Sequence, residues 1–175
     1  KAVADFWVSR VTRNDDGSYS ICNVVGADEY ANGVDDNAFT NGAAIRALEY
    51  ACEAAKICNE PVPEIWEEVG KGIRILRFKD GVTREHATYN GEMIKQADVN
   101  LLGYPLYFVG DAESQKKDME YYVDKIDPQN GPAMSYSVFC VQYARMGDAK
   151  RAYEMFCRCY QPNLRAPFGV LAETP

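Results

Sequence analysis

The residues from Gly26 to Ala44, GADEYANGVDDNAFTNGAA, put four carboxylates on one loop: Asp28, Glu29, Asp35 and Asp36. By default such a run is a solvated, turn-forming segment. Three features set this one apart. Tyr30 and Phe39 sit among the charges, where an exposed turn has little use for aromatics. Gly26 and Gly33 permit backbone shapes that other residues resist. Asn37 and Thr40 can cap the helix that follows, which would anchor the loop to the core. A carboxyl buried beside aromatics has its pKa raised by desolvation and is kept protonated. Set across from a second, ionised carboxylate, it is equipped for acid–base cleavage of a glycosidic bond.

The elements that must position this loop follow from pattern. Residues 11 to 25, VTRNDDGSYSICNVV, read as a hairpin around the turn residues NDDG. From Asn37 to Cys58 the spacing predicts a helix, with Arg46, Glu49, Glu53 and Lys56 on one face and Ala44, Leu48, Ala51 and Ala55 on the other. A short second helix is entered through Pro61 and Pro63, and residues 73 to 92 return to extended structure around KDG. ADVNLLGYPLYF and PAMSYSVFCVQYARM are apolar nearly all round, which predicts enclosed helices. SQKKDMEYYVDKI is amphipathic, with Met119, Tyr122, Val123 and Ile126 on one face. Gly147 and Asp148 supply a stop and an N-cap, and the last helix is expected to bury Ala149, Ala152, Tyr153, Phe156 and Tyr160. Alternating enclosed and amphipathic helices suit a helical solenoid or a closed α/α toroid. No fixed period links the hairpins, which favours the toroid.

Bulk composition narrows the partner. The 175 residues suffice for one domain with a sizeable core. With 19 Lys and Arg against 26 Asp and Glu, the net charge of −7 argues against a nucleic-acid backbone and suits a neutral ligand. No apolar run reaches membrane-spanning length. Six cysteines and the single histidine, His86, form no set with structural-zinc spacing, so neither metal nor cofactor is expected. The chain opens within what reads as a helix end and stops at VLAETP, and is expected to be a piece of a larger domain.

Four motifs then carry a resemblance. ADEYANGVDDNAFTN resembles the D-E-Y…V-D-N-N-A-[YF]-T-N signature of glycoside hydrolase family 65, and IKQADVNLLGYPL resembles that family's K-Q-A-D-V…Y-P segment. NGPAMSYSVF and NLRAPFGVLAET are similar to its hydrolase branch. The resemblance implies a mainly α fold, a partial (α/α)6 barrel with β-hairpin insertions in the loops. Residues 1–175 would be the C-terminal part of that catalytic domain.

It also implies roles. Glu29 matches the general acid and Glu173 the hydrolase branch's general base, the residue that activates water on the opposite face of the ring. Lys95 and Gln96 match the pair that hydrogen-bonds the glucose hydroxyls. Asp28, Tyr30 and Asn37, in the same signature as the acid, are expected as further substrate contacts. Phosphorylases of the family hold phosphate with an H-G-S-S-type loop. Here the corresponding residues are Asn130, Gly131, Pro132, Ala133, Met134 and Ser135, so the donors a phosphate dianion needs are lost. The implied reaction is therefore hydrolysis by inversion, with carboxyls roughly 6.5 to 9.5 Å apart. Asp36 and Ala31 stand where the family often has Asn and His, so contacts to the leaving group are expected to differ. The expected substrate is a small neutral disaccharide or glycan, either an α-1,2-glucoside of the kojibiose or glucosyl-α-1,2-galactose type or, alternatively, α,α-trehalose. A non-catalytic carbohydrate-binding or structural domain is the remaining alternative.

Overall fold

The computed structural model describes residues 1–108 and 111–175. It is mainly helical. Helix α1 (Ala2–Arg10) leads into an antiparallel pair, β1 (Val11–Arg13) and β2 (Tyr19–Ile21), in the register Val11 to Ile21. Next come α2 (Ala38–Ile57), α3 (Glu64–Gly72), α4 (Ala112–Tyr122), α5 (Ala133–Arg145) and α6 (Ala149–Arg158). A two-stranded hairpin, β3 (Leu164–Arg165) with β4 (Val170–Leu171), lies near the end. No helix among the described residues is long and apolar enough to cross a membrane.

Local chemistry sets the ends. Asn37 caps α2, its Oδ1 accepting the Thr40 N–H at 2.8 Å. Pro63 stands at the N-cap of α3, where its missing N–H costs nothing. Asp148 caps α6 through the Arg151 N–H at 3.0 Å. The first hairpin, α2, α3 and the α5–α6 turn lie where the pattern expects them.

Two apolar clusters form the core. One joins α1, β2, α2 and α3 through Ala4, Ile21, Leu48, Trp66, Val69 and Ile73. The other lies under α4, α5 and α6 and contains Tyr89, Ile94, Leu102, Met119, Tyr122 and Phe139. Ile75 and Phe108 touch both. The acidic loop runs from β2 to α2, both in the first cluster, and Ala38 at the start of α2 belongs to the second.

Three expectations are corrected. Residues 73 to 92 form turns with isolated bridges, such as Arg77 to Thr83, and not strands. The segment from Ala97 to Phe108 is buried only as far as Gly103, with Pro105 and Tyr107 exposed, and only Val99–Leu102 is helical, as a 3-10 turn. Gly103 and Pro105 end it, because glycine is a poor helix former and the residue before a proline is pushed out of the α region. In α6 the buried residues are Ala152 and Met155, while Tyr153 and Phe156 are 68% and 50% exposed. The helix carries two apolar stripes, and the one with the smaller side chains meets α5.

Asp36, expected near the leaving group, is instead buried in the scaffold. It sits at φ +54°, a left-handed conformation that Asn and Asp tolerate. Its Oδ2 accepts Arg74 Nε at 2.8 Å and Nη2 at 2.6 Å, and Ser20 Oγ at 3.2 Å. Removing the guanidinium strands a buried carboxylate. Arg74→Ala is expected to cost about 2–3 kcal/mol in urea unfolding, with the m-value unchanged. A loss below about 0.5 kcal/mol would show that Asp36 does not need this partner.

Candidate active site

The acidic loop is held by a residue outside it. Asp98 is fully buried. Its Oδ2 accepts the N–H of Ala27 at 2.8 Å, the N–H of Asp28 at 3.3 Å and Asn37 Nδ2 at 2.9 Å. Its Oδ1 accepts the N–H of Phe39, in the first turn of α2, at 3.3 Å. The anion thus also meets the positive end of the helix. Burial pushes the Asp98 carboxyl up to about 6, against the pull of these donors. Gly33 takes a left-handed φ of +67°, but Gly26 serves differently. A Cβ on Gly26 would run into Asn37 Nδ2 and Asp98 Oδ2, so only glycine allows the loop so close.

Lys95 and Gln96 close on the loop from the other side. The Lys95 N–H donates to Asp28 Oδ1 at 2.7 Å. Gln96 Nε2 donates to the Ala27 carbonyl, and Lys95 Nζ pairs with Glu29 Oε2. The bond to Glu29 raises the Lys95 pKa, and the charges of Glu29, Glu173 and Tyr30 add to it. Of the two candidate carboxylates, Glu29 is the one in direct contact with the ammonium. The Glu29 side chain is 59% exposed. Burial beside aromatics, the expected means of keeping a loop acid protonated, is not found at Glu29: its near neighbour is a lysine.

Glu173 is positioned through its backbone. Its carbonyl accepts the N–H of Ala133, the first residue of α5, at 3.2 Å and Asn163 Nδ2 at 3.0 Å. Its carboxylate belongs to an exposed residue. Tyr30 is half exposed, and its hydroxyl donates to Asp127 Oδ2 at 2.8 Å. Asn37, expected among the sugar contacts, is fully buried and directs its two polar ends to Asp98 and Thr40. Asp28 is 2% exposed and accepts the N–H groups of Lys95 and Tyr30. Desolvation raises its pKa, and the backbone donors oppose that rise.

A cleft of about 260 Å³ lies on the Asp28 and Tyr30 side of the loop, lined also by Glu85, His86, Tyr89 and Glu92. Glu85 is fully buried, and neither of its oxygens has a hydrogen-bond partner among the described residues. Burial first, then the charges of Asp98 and Asp28, push its carboxyl up to about 9. Burial also lowers His86. Two larger hollows, about 530 and 450 Å³, flank Trp66 and contain none of these residues. Among the described residues no group of three or more His, Cys, Asp or Glu is arranged to hold a metal ion. No role is read from the sequence for Asp98, Glu85 or Asp127, although Asp98 stands in the K-Q-A-D-V segment. The only signals were a carboxylate within an apolar run for Asp98 and a turn-forming D-P-x-N-G for Asp127.

Residues 2–89, half of the chain, match the model of the glycosyl hydrolase family 65 central catalytic domain. The chain belongs to glycoside hydrolase family 65. A kojibiose hydrolase of Mucilaginibacter mallensis is 50% identical over 173 residues, 99% of this chain and 26% of the relative. A protein-glucosylgalactosylhydroxylysine glucosidase of Danio rerio is 38% identical over 98% of this chain and 26% of its own length. An acid trehalase of Emericella nidulans is 35% identical over 98% of this chain and 16% of its own. A solved human-microbiome structure, described as a kojibiose phosphorylase, aligns with a TM-score of 0.70 at 19% identity. It covers 87% of this chain and 26% of its own, a likeness of fold. This family 65 chain thus spans about a quarter or less of the length of these curated relatives.

The Glu85 carboxyl ties stability to pH. It holds its proton to about 9 when folded, against 4.5 for the free side chain. Its contribution is complete below pH 4.5 and is lost as pH rises toward 9. Asp98, raised to about 6, adds loss in the same direction at lower pH. The melting temperature of the protein is expected to fall between pH 5 and pH 9, and Glu85→Gln to flatten most of the fall above pH 6. Parallel melting curves for wild type and variant would show that Glu85 does not ionise at a cost.

Proposed function

We propose that this chain is part of an (α/α)6-barrel catalytic domain that releases glucose from α-glucosides by inverting hydrolysis. Glu29 is the general acid and Glu173 the general base. The observation that carries this reading is the ion pair of Lys95 with Glu29, which joins the candidate acid to the cation proposed to hold the sugar.

In this mechanism Lys95 and Gln96 hold hydroxyls of the glucosyl ring. Glu29 protonates the glycosidic oxygen as the bond breaks. Glu173 removes a proton from water on the opposite face, and the sugar leaves as the β-anomer. The start of α5 favours water over phosphate as nucleophile. Its first N–H, on Ala133, is given to the Glu173 carbonyl, and the Ser135 hydroxyl is turned inward to accept the Ala97 N–H at 2.9 Å. The loop that carries hydroxyl donors in phosphorylases here offers Ala133 and Met134.

The substrate proposed first is an α-1,2-glucoside, of the kojibiose or glucosyl-α-1,2-galactose type. It rests on the 50% identity to a kojibiose hydrolase. Cleavage of α,α-trehalose is the second reading, supported by the 35% identity to an acid trehalase.

The test is glucose release by the full-length protein from kojibiose, glucosyl-α-1,2-galactose, trehalose, nigerose and maltose, with and without phosphate. Turnover of an α-1,2-glucoside without phosphate is expected, with β-glucose as the first anomer in NMR. Glu29→Gln and Glu173→Gln should each lower kcat by about 10²–10⁴-fold. Formation of glucose 1-phosphate, or α-glucose as first product, would defeat the mechanism. Full activity in Glu29→Gln would remove that residue from it.

A further inference from the structure

Asp127 lies outside the residues assigned to the reaction, yet three parts of the site meet on it. It is 9% exposed. Its Oδ1 accepts the N–H groups of Gln129 at 2.8 Å and Asn130 at 3.0 Å, and its Oδ2 accepts Asn130 Nδ2 at 3.0 Å. Its own N–H donates to the Ile94 carbonyl at 2.8 Å, next to Lys95, and its carbonyl accepts the Gly131 N–H at 2.9 Å. Two residues beyond Gly131, the Ala133 N–H holds the Glu173 carbonyl. A turn at Asp127 would need only the bonds to Gln129 and Asn130. The bond to the Tyr30 hydroxyl at 2.8 Å reaches across 97 positions of sequence, and Tyr30 adjoins Glu29.

We infer that Asp127 is a positioning residue, a brace that sets the acid loop against the segment carrying Glu173. The inference rests on the roles proposed for Glu29 and Glu173. The four donors on the Asp127 carboxylate hold its pKa well below the usual range, so the brace stays anionic at any working pH. As drawn, all four groups facing it donate, two of them backbone N–H groups that can do nothing else. An amide would turn an N–H toward two of them. The brace acts on geometry, and a displacement of about 1 Å at a reacting group costs on the order of 10²-fold in rate.

Two substrates separate the acid from the base. A disaccharide needs its leaving oxygen protonated, whereas α-glucosyl fluoride loses fluoride without an acid and still needs an activated water. Tyr30→Phe in the full-length protein removes one bond and frees only the acid loop. It is expected to lower kcat on kojibiose about 10–100-fold, with KM within about 2-fold, and to change turnover of the fluoride less than about 3-fold. Asp127→Asn also loosens residues 129–133, so it should lower turnover of both substrates. If Asp127→Asn fails to fold, Tyr30→Phe carries the test, because phenylalanine keeps the ring. Equal losses on both substrates in Tyr30→Phe would overturn the brace. So would a rise in KM at unchanged kcat, which would make Tyr30 a sugar contact. Wild-type protein that cleaves neither substrate would defeat the functional reading itself, and the brace with it.

Discussion

The buried carboxylate of Asp98 is the contact on which the rest of this site depends. A loop of mostly small and acidic residues has little apolar surface with which to fix itself, so hydrogen bonds must do most of the fixing. Asp98 supplies them from inside the core, gathering two loop amides, the capping side chain of α2 and an amide of that helix's first turn. One side chain thereby registers the loop against the longest helix. Desolvation of the anion is the energetic penalty, and it is offset by four donors, of which the Asp28 amide and the Asn37 side chain are themselves buried.

Lys95 extends this arrangement outward. Its backbone amide joins Asp28, and its side chain joins Glu29. Consecutive residues of the loop thus face opposite ways: Asp28 inward, where a neutral Glu85 lies beside it, and Glu29 toward solvent. Two carboxyls adjacent in sequence end up in different dielectric surroundings, so one short segment combines an anchoring carboxyl with an exposed one.

Much of the scaffold was legible because its signals are local. Asn37 before α2, Pro63 before α3, the NDDG turn and the Gly147–Asp148 junction each act through neighbouring residues. The misreadings arose where the outcome depends on distant packing. An all-round apolar run such as ADVNLLGYPLYF reports burial only in part and conformation not at all, and Gly103 and Pro105 within it decided against a helix. In α6 the pattern offered two apolar stripes, and only the approach of α5 selects Ala152 and Met155. The site divides in the same way. The acidic loop stood out by composition, and Lys95, Gln96 and Glu173 emerged only through family resemblance. Asp98 stands inside a recognised motif without a role, Glu85 and Asp127 are single acids in unremarked stretches, and the importance of all three comes from neighbours 13 to 97 positions away.

The way Glu173 is held has a consequence for how the molecule can change. The segment around it is gripped by the carbonyls of Ala172 and Glu173, through Asn163 and Ala133, and by the Thr174 carbonyl, through Arg165. Every residue type has a carbonyl, so the backbone path there does not depend on which side chain stands at position 173. On the role proposed for Glu173, folding and reactivity are uncoupled at this point, in contrast to Asp28, whose carboxylate serves the scaffold. Side chains can therefore change at 173 with little disturbance of the backbone, and a reaction that uses Glu173 as proposed could be lost or redirected there one codon at a time.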